Sequence, residues 1–187
     1  EGGEPSLNRP GFPSVNVPEL DELFSTMRDK CFQTSKYPVI FIFELHCRDS
    51  VQQKLATMLK TFLGFGLNKD FENCTPEDCK ERFLVVADAS QAGEGESATV
   101  HKALKELCTF EMHPFQGSLG AIQKQFDANK AMAGKQILRL KDAHLELNME
   151  KGEVFANFND KHLSYWIPRN ETTNSFAADA WALGVQM

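Results

Sequence analysis

The stretch Tyr37-Pro-Val-Ile-Phe-Ile-Phe-Glu-Leu-His-Cys47 decides the fold of this 187-residue chain. Its centre is an uninterrupted run of β-branched and aromatic residues, the chain turns polar at Glu44, and a helical pattern follows. A short continuous apolar run of this kind is typical of a strand buried on both faces of a parallel sheet. Glu44 therefore falls where α/β folds build their sites, although a helix-capping or salt-bridged carboxylate explains it equally well on spacing alone.

The rest of the chain alternates strand patterns with helix patterns. Strands are predicted at 82–87, 136–140 and 163–167, with a weaker one within 106–115 and the opening of a last one at Val185. Helices are predicted from Pro18, from Val51, over 142–158 and over 177–183, with a short helix start at 75–78 and only partial order over 116–134. Strands alternating with helices predict right-handed βαβ units and a parallel sheet, which is an α/β fold.

Composition and charge narrow the classes of function. The chain is 42% apolar and 25% charged, which is ordinary for a globular domain. Its formal net charge of −6 argues against nucleic acid as the main partner and against a membrane contact made by bulk positive charge. Five cysteines without paired short spacing indicate reduced thiols, so a cytoplasmic location is expected.

Several segments resemble one family of enzymes. The block 37–53 is similar to the YPVILSLENHC strand and the following QQ-bearing helix of phosphoinositide-specific phospholipase C. His162-Leu-Ser-Tyr-Trp-Ile-Pro168 resembles its QLSRIYP segment, and Trp181-Ala-Leu-Gly-Val-Gln-Met187 resembles its WNAGCQM segment. Glu150-Lys-Gly-Glu-Val-Phe155 with Asn159 is similar to its KGEEF…N stretch. Matches that are separated along the chain and keep the family's order are far more specific than any one of them alone.

The resemblance implies a closed (β/α)8 barrel of which this chain supplies part. The expected fold class is therefore α/β, a partial (β/α)8 TIM-type barrel. Residues 1–88 would be an X-like half that is incomplete at its N-terminus, 89–99 a Gly-rich linker, and 100–187 a Y-like half that is incomplete at its C-terminus. Because open sheet edges are liabilities, we expect remaining segments of a longer polypeptide or other protein chains to cover them.

The family cleaves a phosphodiester with two histidines and a calcium ion held by an asparagine and several carboxylates. A pair of lysines, an Arg-x-Tyr pair and a serine grip the inositol phosphates. By this resemblance Glu44 matches the calcium-ligand glutamate, whereas Leu45 replaces the neighbouring asparagine. Ca²⁺ is the one cofactor implied, and Glu44 is the one residue predicted to bind it.

The other site positions hold different residue types, so no catalytic or substrate-binding residue is predicted. These positions are Arg9 at or near the second histidine, Val86 and Asp88 at the lysines, Tyr165 at the arginine, Ile167 at the tyrosine, and Ile137–Leu140 near the serine, without a hydroxyl. Four other histidines have no carboxylate or cysteine at ligand spacing and are predicted to be packed or exposed: His101, His113, His144 and His162.

Three hypotheses follow. The first is a phospholipase C-like region that is degenerate at its active site and acts as a non-catalytic interaction, scaffold or signalling element. The second is an active calcium-dependent phosphatidylinositol phosphodiesterase, releasing diacylglycerol and inositol phosphate, whose missing catalytic residues lie outside this segment. The third is a barrel that binds calcium or a phosphoinositide membrane surface, as a peripheral membrane protein, without hydrolysing anything.

Overall fold

The chain folds into two compact units, Glu1–Thr109 (unit 1) and Phe110–Met187 (unit 2). The computed structural model describes residues 3–7, 17–67, 75–116, 118–128, 135–141, 152–167 and 178–185. No helix within these ranges combines the length and the hydropathy that crossing a bilayer requires.

The described part of unit 1 contains two parallel strands and three helices. Its elements, in chain order, are α1 (Leu20–Lys30), β1 (Val39–Glu44), α2 (Asp49–Leu63), β2 (Phe83–Asp88) and α3 (Lys102–Lys105). β1 and β2 pair in parallel from Val39 opposite Phe83 to Glu44 opposite Asp88. Both strands and the two long helices lie where the apolar patterns predict them.

Aromatic packing of α1 on β1 organises the core of unit 1. The fully buried Phe24 ring meets the rings of Phe41 and Phe43 edge-on, with centroids 6.1 and 6.5 Å apart. Phe41 and Phe43 therefore face α1, and the alternating residues Ile40, Ile42 and Glu44 face the other way. Ile40 is 54% exposed, so the prediction of a β1 strand buried on both faces is wrong for the described part of unit 1. β2, in contrast, is buried along its whole length.

Three parallel strands and three helices make up the described residues of unit 2. They are β3 (Phe110–Pro114), α4 (Leu119–Ala128), β4 (Gln136–Lys141), α5 (Gly152–Asn159), β5 (Leu163–Ile167) and α6 (Ala178–Ala182). β3 pairs with β4 and β4 pairs with β5, both in parallel. A hydrophobic core joins one face of these strands to the helices through Phe126, Leu138, Leu140, Phe155, Phe158 and Trp166.

Three local expectations need correction. The 116–134 segment, expected to be partly ordered, contains the regular helix α4. Residues 75–78 form a turn rather than a helix start: the Asp78 N–H donates to the Thr75 carbonyl, and the Asp78 carboxylate accepts hydrogen bonds from the backbone N–H and the hydroxyl of Thr75. Val185 itself is not in a strand, because its N–H donates to the Ala180 carbonyl just after α6, and the two residues that follow lie outside the described residues. Most of the helix predicted over 142–158 lies outside the described residues, and α5 is its described end.

Candidate functional site

Two carboxylates end the two neighbouring strands of unit 1. Glu44 at the end of β1 is in register with Asp88 at the end of β2, so both side chains lie on the sheet face opposite α1. Glu44 is exposed, whereas Asp88 is only 4% exposed. The sequence therefore correctly locates Glu44 at the carboxyl edge of a parallel strand pair, and the structure sets a second acid beside it.

Backbone contacts fix Asp88 in place. One of its carboxylate oxygens accepts the Ser90 N–H at 2.8 Å, and its carbonyl accepts the Leu45 N–H at 2.8 Å. Asp88 is thus part of the connection between the ends of β1 and β2 rather than a mobile surface acid. Two adjacent carboxylates in a partly buried place repel a phosphate group, which a lysine at the same position would attract.

The described residues do not fit a calcium ion. Calcium takes six to eight oxygen ligands. Glu44 and Asp88 are two acids, and Ser90 already engages one oxygen of Asp88. No group of three His, Cys, Asp or Glu side chains that could hold a metal occurs in the described ranges. Glu44 as a calcium ligand therefore stays a prediction.

The Gly-rich segment Gly93–His101, which we call the crossover segment, lies against the chain that follows β1. His46 Nδ1 is 3.4 Å from Glu96 Oε2, and the Ser97 N–H donates to the Cys47 carbonyl at 3.2 Å. The Arg48 Nε–H donates to the Gly95 carbonyl at 3.2 Å. Composition predicts a Gly-rich linker over 89–99, and these contacts fix part of that stretch against the residues after β1.

Gln52 anchors the crossover segment from α2. Its side chain is fully buried, and its amide nitrogen donates to the carbonyls of Cys47 and Thr99 at 3.4 and 3.3 Å. Its amide oxygen accepts the His101 N–H at 2.7 Å. The first glutamine of the QQ pair in the resembling motif therefore has a structural role here, which joins three stretches of unit 1.

In unit 2, the side-chain amide of Asn159 joins the segments that resemble the family late in the chain. Asn159 at the end of α5 accepts the Ser164 hydroxyl of β5 at 2.6 Å and donates to the Leu183 carbonyl after α6. Gly184 follows in a left-handed conformation, with φ +77°, and approaches Asn159 closely. The three segments that resemble the family late in the chain thus meet at one side chain.

The histidines that the structure describes pack or pair rather than converge on a site. His162 Nε2 lies 3.1 Å from Asp127 Oδ1, and its ring packs against Phe126 and Phe158 with centroids 5.3 and 4.9 Å apart. Asp127 is 35 residues away in sequence, so the prediction that no carboxylate lies at ligand spacing from His162 carried no signal of this pair.

His101 and His113 also have structural contacts. His101 Nδ1 accepts the Ala103 N–H at the start of α3, and His113 lies 3.3 Å from the Gln136 amide nitrogen. His144 and Arg9 lie outside the described residues.

One charged side chain within Ile137–Leu140, the stretch near the family's serine position, was not predicted to be part of a site. Arg139 on β4 is 5% exposed and in register with Tyr165 on β5. Ile137–Leu140 contains no hydroxyl, but an arginine inside an apolar strand is itself a signal of a functional position. Val86 is fully buried, and Ile167, two residues after Tyr165, is half-buried.

Comparison with known proteins agrees with this arrangement. Residues 8–88 match the family model of the phosphatidylinositol-specific phospholipase C X domain. The crystal structure of PLC21 from L. pealei superposes with a TM-score of 0.74 at 19% identity, covering 95% of this chain and 26% of that chain. PLC21 from S. officinalis gives a TM-score of 0.70 at 17% identity, covering 90% and 25%. No curated protein sequence matches the chain significantly.

These structural matches show the fold. They confirm an α/β fold of the partial (β/α)8 TIM-barrel type, with parallel strands alternating with helices. The chain spans about a quarter of the length of the two solved structures.

Proposed function

We propose that this chain, which carries the catalytic-region fold of phosphoinositide-specific phospholipase C and matches its X domain over residues 8–88, is a degenerate member that no longer hydrolyses phosphoinositides. It acts instead as a non-catalytic interaction, scaffold or signalling element. The observation that carries the proposal is Asp88, held by backbone contacts in register with Glu44.

The charge at the ends of β1 and β2 has the same sign as the charge of a phosphoinositide substrate. A phosphoinositide headgroup carries several negative charges, and catalysis of its cleavage requires cations or strong donors aimed at them. At the ends of β1 and β2 the substrate would meet two carboxylates, one of them nearly buried. Low local dielectric strengthens that repulsion, so binding a phosphate there is strongly disfavoured.

Two side-chain amides of the framework, in contrast, are hydrogen-bonded at both ends. Gln52 and Asn159 each use both ends of a buried or half-buried amide to join separate segments. These two residues fall within the segments that resemble the family's motifs. A barrel that keeps these hydrogen bonds, but has other residue types at the family's charged positions, is suited to an interaction or scaffold role. It is poorly suited to phosphodiester chemistry.

The division of the chain and its partners belong to the same proposal. Residues 1–88 form the X-like half, 89–99 the linker and 100–187 the Y-like half. Remaining segments of a longer polypeptide, or other chains, complete the sheet beside β1, where Ile40 is exposed. The protein would act in the cytoplasm, with a peripheral contact to a phosphoinositide membrane as a further option.

A second candidate is an active calcium-dependent phosphodiesterase that takes its remaining catalytic groups from residues outside this segment. Glu44 favours it, because an exposed carboxylate at a strand end is well placed for a metal ligand. This candidate must still accommodate Asp88 beside Glu44, which is why we rank it second.

Hydrolysis of phosphatidylinositol 4,5-bisphosphate by the full protein over a wide calcium range decides between the two. The variant is Glu44→Ala, and Glu77→Ala, an exposed acid on the 75–81 turn, is the matched control. We expect no turnover from folded protein in any sample. Calcium-dependent turnover that is lost in Glu44→Ala and kept in Glu77→Ala would overturn the proposal and establish the active enzyme.

A further inference from the structure

Thr75 is the only serine or threonine of the chain that stands directly before a proline. Residues 75–78 are exposed and lie outside the helices and strands, at the start of the 75–81 turn that leads into β2. Proline has no backbone N–H, so an apolar pocket without an acceptor selects it over every other residue. Protein kinases that require proline directly after the phosphorylated residue use this selection, and Thr75-Pro76 offers them the required pair.

The Asp78 carboxylate holds the Thr75 hydroxyl directly. One Asp78 oxygen accepts the hydroxyl of Thr75 at 2.6 Å and its backbone N–H at 2.8 Å. A phosphate ester on the Thr75 oxygen removes the hydroxyl donor and sets about two negative charges beside the carboxylate. The contact that closes the turn then changes from attraction to repulsion.

The far end of the turn carries backbone strain. Glu81 has φ 56°, in the left-handed region that residues other than glycine rarely adopt. Its N–H donates to the Lys36 carbonyl at 2.7 Å, and its carboxylate lies 2.5 Å from the Lys36 ammonium group. Because a strained conformation persists only while the surrounding contacts enforce it, loss of the Thr75–Asp78 contact weakens a turn that is already strained.

The charges of the turn do not neutralise an added phosphate. Residues 75–81 carry three carboxylates and one ammonium group, so the segment is already negative. That ammonium group, on Lys80, is paired with Glu77. A phosphate on Thr75 therefore adds negative charge to a negative segment, which favours the open form of the turn.

We propose that Thr75 is a phosphorylation site for a proline-directed Ser/Thr protein kinase and that its phosphorylation opens the 75–81 turn. Thr75 Oγ1 attacks the γ-phosphorus of ATP, and the bond from that phosphorus to the β–γ bridging oxygen breaks. ADP leaves, and the hydroxyl proton passes to a base of the kinase. The proposal goes beyond the proposed function and holds whether or not the protein hydrolyses phosphoinositides.

Opening of the turn changes the surface in front of β1. The Lys80 ammonium group lies 5.4 Å from the centre of the Tyr37 ring, which is 55% exposed. When the turn opens, Lys80 moves away from this ring and Glu81 moves away from Lys36. Phosphorylation would thereby alter the surface that this end of unit 1 offers to a partner.

Cys79 reports the opening. It lies within the turn and is fully buried, and the Arg82 N–H donates to its carbonyl at 3.1 Å. A buried thiol reacts with iodoacetamide only while the turn is open, so the alkylation rate of Cys79 follows the open population.

Incubation of the folded full protein with a proline-directed kinase and ATP, followed by peptide mapping by mass spectrometry, tests the site. We expect phosphate on Thr75, none at this position in Thr75→Val, and a rate at least about tenfold lower in Pro76→Ala, whose N–H finds no acceptor in the kinase pocket. Thr57→Val is the matched control, because Thr57 is exposed on α2 without a following proline, and it should be phosphorylated on Thr75 as the wild type is. Phosphorylation of heat-denatured but not of folded wild type would overturn the proposal.

Alkylation of Cys79 by iodoacetamide, mapped in the phosphorylated and unphosphorylated proteins, tests the opening. We expect phosphorylation to accelerate it by at least about tenfold in the wild type. In Asp78→Asn, which keeps an acceptor but loses the charge, the acceleration should fall below about threefold. Unchanged or slower alkylation in the phosphorylated wild type would overturn the opening, and equal acceleration in Asp78→Asn would overturn the role of Asp78. If Asp78→Asn does not fold, the wild-type comparison decides by itself.

Discussion

Asn159 accepts the hydroxyl of Ser164 through one end of its side-chain amide, and with the other end it donates to the Leu183 carbonyl. This pair ties the last turn of α5 to β5, and Ser164 is only 1% exposed. A buried hydroxyl that loses its acceptor retains the full cost of its desolvation. The relationship therefore makes Asn159 a sensitive position in unit 2.

Replacing Asn159 by alanine should destabilise the protein markedly. Two hydrogen bonds are lost, and the buried Ser164 hydroxyl is left without this acceptor, so we expect a loss of about 2–4 kcal/mol in the free energy of unfolding. Urea denaturation followed by circular dichroism measures it. Asn157→Ala, on an exposed position of the same helix, is the control and should change stability by less than about 0.5 kcal/mol. Equal effects of the two substitutions would contradict the anchoring role.

Gly184→Ala should also destabilise unit 2, for a different reason. Gly184 has φ +77°, and a Cβ there would lie 3.1 Å from Asn159 Cβ, so an alanine meets both backbone strain and crowding. The expected loss is about 1–3 kcal/mol. Gly120→Ala is the control, because Gly120 is exposed in α4 with open space around it. There alanine favours the helix and should stabilise by up to about 1 kcal/mol. If Gly184→Ala leaves the free energy of unfolding unchanged, this turn can adapt to the added methyl group without cost.

The strands were predictable because their signal is local. Val39–Glu44, Phe83–Asp88 and Leu163–Ile167 are short apolar runs bounded by polar residues. The first lies within the apolar block after Tyr37, and the other two form strands within one residue of their predicted limits. α4 was missed because glycine, alanine and lysine dilute its apolar pattern. Its buried residues, Ile122 and Phe126, become informative only when the strands they cover are known.

The site was only partly predictable because its decisive contacts are long-range. Glu44 and Asp88 are 44 residues apart, and only the strand register makes them neighbours. Arg139 and Tyr165 come together in the same way. A motif comparison asks which residue type stands at each position and cannot detect a charged group supplied by the adjacent strand.

The stability of the 75–81 turn should depend on pH in the acid range. Side-chain and backbone hydrogen bonds from Thr75 lower the pKa of Asp78 below its ordinary value. Because the folded-state pKa is depressed, the contribution to stability is fully present above the unfolded pKa of about 3.9 and is lost as pH falls through the lower folded value.

Unfolding measured at neutral pH and near pH 3 in a double-mutant cycle tests this. Asp78→Ala should flatten the acid loss of stability relative to the wild type, and Thr75→Val, which keeps the backbone N–H donor, should flatten it only in part. The double variant should behave like Asp78→Ala. Additive effects would mean that the two groups act independently.

Gln52 offers the clearest test of the crossover segment. Gln52→Leu replaces the amide by an apolar side chain of similar size in the buried position. The His101 N–H and the carbonyls of Cys47 and Thr99 then lose their hydrogen bonds to residue 52. We expect a loss of about 2–4 kcal/mol in the free energy of unfolding, together with faster proteolytic cleavage within residues 93–99, since the segment loses its internal tether. Gln53→Leu, on the adjacent exposed position of α2, is the control and should leave both measurements near the wild type. If cleavage of Gln52→Leu is as slow as that of Gln53→Leu, the contacts from His46, Cys47 and Arg48 hold the segment without help from α2.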